Sequence, residues 1–354
     1  LNRIGLVHNI VALVSIVALE FKGLGSVEEY LKITRLPFVR PARVEAMRKR
    51  VFRSTLTDES AASYLSAPAG LYNGGNTCYM NSILQVLHHT TPLRNHLFHV
   101  GAMGDTAGSE STASWRAFVR GTQRLFAYMA LSVRPQLQPS DYLSRTFFPP
   151  PFRTFQQQDA GEYLKHFLDL LENKEDPADS VLGSKKESGI FDCTLKSTVV
   201  CSMCNTVSSK FEKVNDVPLS FPASGPAAIH SMLSHYFQPE SMDGINAYHC
   251  DVCSKDVPAL RYTELVGAPG VLVIVLLRFK HSRGENGRIR AEKETAHVPV
   301  PLRLDLPVTN STGGIDCLAY DLYGVVMHAG NTPQSGHYYA YAREMQPVAE
   351  EGRG

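Results

Sequence analysis

Two Cys-x-x-Cys pairs set the tightest constraint on how this chain folds: Cys201-Ser-Met-Cys204 and Cys250-Asp-Val-Cys253, with 45 residues between them. Four thiolates at this spacing form one tetrahedral site that ties two hairpin knuckles together, and zinc is the expected ion. Such a site leaves no coordination position for water, so the zinc is structural and no catalytic cofactor is expected. The gap exceeds what a compact ribbon needs, and an inserted hairpin would absorb it. The remaining cysteines, Cys78, Cys193 and Cys317, bring the count to an odd seven. That is unlike a secreted disulfide framework and points to a reducing, intracellular compartment, cytoplasm or nucleus. Cys193 and Cys317 have no partner at metal spacing and are assigned to the core.

Charge and length narrow the classes further. Lys plus Arg is 35 and Asp plus Glu is 34, for a formal net charge of +1. Nucleic acid and anionic membrane are met by basic patches, so neither is expected as a partner. The 354 residues suggest about two domains. The longest apolar stretch, Ile10 to Leu19, is too short to span a bilayer and is read as a buried helix. The chain begins with Leu rather than Met and is read as a fragment.

Residues 1–55 read as helical, the end of a larger helical domain. Ser26 and Glu29 form a capping-box pattern, and Arg43 to Arg53 is amphipathic and charged. Residues 56–69 are small and polar and read as a linker. Apolar residues at Met80, Ile83, Leu84 and Leu87 predict a helix over 78–88. A loop at 105–114 is followed by a predicted helix at 115–131. After Pro149-Pro150-Pro151 comes a third, Gln157 to Glu172, with Tyr163, Leu164, Phe167, Leu168 and Leu171 on one face. Strand signals follow at 194–200, 271–277, 322–327 and 338–342. Val271 to Leu277 is uniformly apolar, as in a strand buried on both faces. Helices first and strands second make an α+β protein.

Cys78 is placed for chemistry. It follows a glycine-rich turn, Asn73-Gly74-Gly75-Asn76-Thr77, and opens the first of these helices. The positive end of a helix dipole favours a thiolate, the nucleophilic form of cysteine. The bland alternative is a small buried hydrophobe. Its base would be a histidine, and the chain has 13. His337 stands out at the start of an alternating strand, Gly336-His337-Tyr338-Tyr339-Ala340-Tyr341, where a rigid strand end holds a base in one orientation. His328 is its competitor, or else a histidine hydrogen-bonded across the loop.

Gly70-Leu71-Tyr72-Asn73-Gly74-Gly75-Asn76-Thr77-Cys78-Tyr79-Met80-Asn81-Ser82 resembles the cysteine box of the ubiquitin-specific proteases. Gln157-Gln158-Asp159-Ala160-Gly161-Glu162 resembles their Q-Q-D-A box, and His328 to Arg343 their histidine box. The Cys-x-x-Cys pairs lie where that family has zinc fingers. The resemblance spans 70–343, which is read as the catalytic domain, with fingers at about 190–265.

The resemblance implies a papain-like cysteine protease fold with a helical thumb, a β-sheet palm and zinc-ribbon fingers. It implies a thiol-dependent deubiquitinase acting on ubiquitin and ubiquitinated proteins. Cys78 would attack the carbonyl of ubiquitin's terminal glycine to form a thioester, with His337 as base. Asn73 matches the family's oxyanion residue, and Asp159 the acidic residue that receives basic groups of ubiquitin's tail. Read alone, Asn73 tolerates a turn and Asp159 is a helix N-terminal carboxylate.

One part of the family pattern is missing. A third catalytic residue, Asp or Asn, normally follows the histidine after a tryptophan-bearing strand. Here Trp115 is the only tryptophan, and residues 338–354 contain neither Asp nor Asn. Truncation, an insertion beginning in the 344–354 tail, or a dyad enzyme or catalytically impaired ubiquitin-binding module would each account for this. Truncation is the reading adopted, and it predicts an unpaired edge in the palm sheet.

Overall fold

The computed structural model describes residues 12–17, 69–100, 110–132, 136–153, 156–172, 189–283, 289–332 and 335–343. The chain divides into two compact units, Leu1–Leu19 with Ser188–Gly336, and Glu20–Glu187 with His337–Gly354. The helical reading of 18–55, the linker at 56–68 and the tail at 344–354 lie outside the described residues.

The helical unit is built around α1 (Cys78–His89), α2 (Thr91–Val100), α3 (Glu110–Leu131) and α4 (Ala160–Leu171). A short parallel pair, β2 (Gly70–Leu71) with β3 (Gln136–Leu137), ties the start of the unit to the segment after α3. The helical period does what the sequence expects: Ile83, Leu84 and Leu87 of α1 and Tyr163, Leu164, Phe167, Leu168 and Leu171 of α4 are buried. Phe118 packs edge-on against Phe147, Phe148 and Phe167. Emptying the Phe167 site would cost about 3–5 kcal/mol. Two boundaries differ from expectation. The middle helix begins at Glu110, five residues earlier than Trp115, and α4 begins only at Ala160 because Asp159 caps it.

The second unit is β-rich. Its larger sheet runs β14 (Arg303–Thr309), β15 (Ile315–Thr332), β1 (Ala12–Val17), β11 (Val271–Leu276), β6 (Val217–Leu219). β11 is buried along almost its whole length, as the apolar run predicts. Residues 12–17 correct the helical reading of Ile10 to Leu19. They form a strand, antiparallel to both β11 and β15. Val14, Ile16 and Val17 are β-branched and suit a pleated position with strands on both sides, and a short apolar run has no period to distinguish strand from helix. β1 therefore occupies an interior place in the sheet expected to have an open edge.

A second sheet, β5 (Val207–Val214), β4 (Cys193–Cys201), β10 (Ala259–Gly267) and β7 (Glu240–Met242), carries the cysteine pairs at one end. The ribbon β8 (Tyr248–Cys250) with β9 (Lys255–Val257) completes that end. Cys193 is fully buried in the core with Leu219, Ile229, Leu272 and Tyr320. Cys317 is not a core residue: it is exposed, near the tip of the β14–β15 hairpin opposite Pro307, where the ladder leaves the core. No helix among the described residues is long and apolar enough to cross a membrane.

Candidate active site and metal centre

The segment 73–78 is a preorganised loop. Gly75 and Asn76 adopt left-handed backbone, φ +104° and +51°, which turns the chain into α1. The carbonyl oxygen of the Asn73 side chain gathers the loop. It accepts from the Thr77 backbone N–H and hydroxyl at 3.0 Å each, and from the Gly75 N–H at 3.3 Å. The Thr77 hydroxyl oxygen in turn accepts from the Gly74 N–H at 3.2 Å. With its oxygen committed, Asn73 is left with its amide N–H groups, which make no hydrogen bond among the described residues. Asn73 is exposed, and its amide is available to an oxygen arriving from outside.

Cys78 is the first residue of α1 and is 5% exposed, and α1 has no acidic residue in its first turn. Asn81 and Ser82, the last two residues of the box, hold the loop from behind. The Asn81 amide donates to the carbonyls of Leu71 and Tyr72 at 3.3 and 3.1 Å, and the Ser82 hydroxyl to the Cys78 carbonyl at 2.8 Å. Beneath the loop lies a pocket of about 20 Å3 lined by Thr77, Tyr79, Met80, Arg145 and Tyr163. Burial raises the Tyr163 phenol well above its ordinary value.

His337 stands exposed on β16 (Ser335–Ala342) and belongs to the same unit as Cys78. Among the described residues its ring has no hydrogen-bond partner. Its neighbour Tyr338 is buried and anchors the strand: a hydrogen bond joins the phenol to the Ala160 backbone, while burial, then Asp159, then Cys78 push the phenol's pKa up. Tyr338 thus brings β16 within electrostatic reach of Cys78, a role the sequence reading missed although the residue sits inside the box.

Asp159 caps α4, its carboxylate accepting from the Glu162 N–H at 3.0 Å. Glu162 at the third helical position completes the sequence pattern of a capping box. The structural reading of Asp159 thus holds, and its remaining carboxylate capacity leaves the binding role open.

His328, the competitor for the base, is fully buried on β15. Its ring is edge-on to Phe279, and the Lys293 ammonium lies 3.1 Å from its Nδ1. A buried ring held this way matches the alternative reading of a histidine bonded across the loop. Burial, and then Arg278, lower the Lys293 pKa to about 8.

The four cysteines converge. Their sulfurs lie within 4.8 Å of one another, with Cys201 to Cys253 at 3.9 Å and Cys204 to Cys250 at 3.6 Å. Zinc–sulfur bonds of about 2.3 Å in tetrahedral geometry place sulfurs roughly 3.8 Å apart. The residue after each pair, Asn205 and Ser254, is left-handed, φ +57° and +49°. The two pairs therefore turn alike, and the Met203 N–H points at Cys201 Sγ from 3.4 Å. The hydroxyl of Thr206, 3.0 Å from Cys204 Sγ, draws that thiol down to about 6. This cluster can hold a metal ion.

A cysteine opening a helix, a histidine on a strand of the same unit and a four-cysteine cluster at one end of a sheet agree with the papain-like α+β fold with fingers that the sequence resemblance implies. The chain belongs to the ubiquitin carboxyl-terminal hydrolase family, whose profile matches residues 69–348. It is 30% identical over 292 residues to ubiquitin carboxyl-terminal hydrolase 25 of Arabidopsis thaliana, covering 78% of this chain and 42% of that protein. It is 29% identical over 291 residues to the human ubiquitin carboxyl-terminal hydrolase 17-like protein 12, covering 80% and 50%. The chain thus spans about half the length of these relatives, or less. Its fold is similar to that in the SAGA Ubp8/Sgf11/Sus1/Sgf73 deubiquitinating module bound to ubiquitin aldehyde. There the TM-score is 0.61 at 21% identity, over 80% of this chain and 66% of that one.

Proposed function

We propose that this chain is a thiol-dependent deubiquitinase that hydrolyses the peptide or isopeptide bond after the C-terminal glycine of ubiquitin. The observation that carries the reading is the Asn73 loop: an exposed amide whose oxygen is tied down by Thr77 and Gly75, in the loop that leads directly into a cysteine at a helix N-terminus. Cys78 attacks the glycine carbonyl, and His337 takes the thiol proton and returns it to the leaving amine. The resulting thioester is hydrolysed by water. The Asn73 amide and the Cys78 backbone N–H stabilise the oxyanion, a task in which one donor is typically worth about 10²–10³ in rate. Asp159 receives basic groups of the ubiquitin tail. Zinc on Cys201, Cys204, Cys250 and Cys253 holds the finger tips and takes no part in the chemistry.

The test is reaction with ubiquitin bearing a thiol-reactive C-terminal electrophile, alongside Cys78→Ala and His337→Ala. The expected result is a covalent adduct that requires Cys78 and forms slowly without His337. A folded chain that binds ubiquitin and forms no adduct would instead be a ubiquitin-binding module.

A further inference from the structure

The histidine box contains a second histidine that the chemistry above does not use, and a lysine 35 residues away in sequence reaches it. Lys293 ends β13 (Ile289–Lys293), and its side chain is only partly exposed. Its Nζ donates to the carbonyl oxygens of His328 at 2.9 Å and Gly330 at 2.6 Å. His328 Nδ1 also lies within hydrogen-bond distance of Nζ, at 3.1 Å. An ammonium has no lone pair, so Nδ1 must accept. The proton of the neutral ring then sits on Nε2.

The Nε2 edge faces the other limb of the loop. An ideal Cβ placed on Gly336 would overlap His328 Nε2 and the Ala329 carbonyl oxygen, and Gly336 has φ +155°. Gly330, with φ +149°, is likewise pressed against the Ser335 carbonyl and the Gly336 Cα. Both limbs can come this close only as glycine. One amine thus ties together the entry to the loop, and the His328 ring it orients is the surface on which the exit, Gly336, rests. The next residue is His337.

We propose that Lys293 is a positioning residue for His337: by fixing His328 and the His328–Gly330 backbone it sets the path of Gly336, and so the direction in which His337 leaves the loop. The inference rests on His337 being the general base. It gives the chain a means of orienting that histidine's backbone from within residues 289–336.

The test compares the wild-type chain with Lys293→Met and Lys293→Arg by turnover of a fluorogenic ubiquitin C-terminal amide, by melting temperature and by the ring-nitrogen NMR of His328, identified with His328→Gln. In the wild type His328 should appear as the Nε2–H tautomer, and Lys293→Met should lose that fixed state. Lys293→Met should lower kcat about tenfold or more, since small misplacements of a reacting group are costly. KM should stay within about twofold, because no ubiquitin contact is removed. Lys293→Arg, which can still donate to both carbonyls, should recover part of the rate. Should Lys293→Met fail to fold, Lys293→Gln takes its place. A folded variant with unchanged kcat, or a wild-type His328 carrying its proton on Nδ1, would overturn the inference. Absence of turnover in a wild type with the Nε2–H tautomer would overturn the hydrolase reading and with it the positioning role, while leaving the Lys293–His328 bond standing.

Discussion

The side-chain oxygen of Asn73 is the hub of the loop before Cys78, accepting from both the backbone N–H and the hydroxyl of Thr77 at 3.0 Å. Anchoring uses the oxygen end of this amide and the proposed oxyanion binding the nitrogen end, so the two can be separated. Asn73→Asp keeps an oxygen for Thr77 and Gly75 but offers no N–H to the oxyanion and adds a negative charge beside it. Its kcat should fall by about 10²–10³ or more with the melting temperature nearly unchanged. Asn73→Ala should lose a similar factor and also loosen the loop. Equal kcat for Asn73→Asp and wild type would remove Asn73 from the oxyanion site.

Asp159 poses the same kind of question. Its carboxylate caps α4 through the Glu162 N–H, so Asp159→Ala should cost about 1 kcal/mol of stability whatever the residue does for ubiquitin. Asp159→Asn preserves a capping oxygen and removes only the charge. Its stability should therefore stay close to wild type, while KM for ubiquitin substrates rises about tenfold or more if the carboxylate meets a buried basic group. A stable Asp159→Asn protein with wild-type KM would leave Asp159 as a cap and nothing else.

Much of this site was legible because its signals are local. The turn residues before Cys78, the helical period of α1 and α4 and the two Cys-x-x-Cys pairs each declare themselves within a dozen residues. What escaped notice depends on distant partners. Residues 12–17 read as a helix because a short apolar run carries no period, and only the strands β11 and β15 on either side make it a strand. Cys317 read as core from its chemistry, yet its place near a hairpin tip leaves it exposed. The contact of Lys293 with His328 had no signal at all, since nothing in sequence joins two residues 35 positions apart. Tyr338 was seen as part of a box without the reason for it, which is the backbone of Ala160.

The sulfur geometry at Cys201, Cys204, Cys250 and Cys253 makes a prediction about metal content. Elemental analysis of the purified chain should give one zinc per molecule, and Cys250→Ser should lower it. Because the cluster closes one end of the β5-β4-β10-β7 sheet, chelation should lower the melting temperature and expose the ribbon to protease before the helical unit. A metal-free chain with an unchanged melting temperature would rule out a structural ion.

Alkaline pH should separate the two remaining cysteines and weaken the fold. Burial first, then Asp216 and Asp192, push the Cys193 thiol from 9.0 up to about 12. The folded chain therefore keeps a proton that the unfolded chain has lost between these values. The stabilising contribution is complete below about pH 9 and disappears as pH rises toward 12. Tyr320, raised by burial and then by Cys193, acts in the same direction. Denaturant midpoints measured from pH 8 upward should fall through this window, and Cys193→Ala should flatten the fall although it costs some packing. In the native state at pH 8 a thiol reagent should label Cys317 readily and Cys193 only after unfolding, because the first is exposed and the second is sealed in the core. Rapid native labelling of Cys193 would mean that the core around Leu219 and Tyr320 opens, and the alkaline transition would then need another cause.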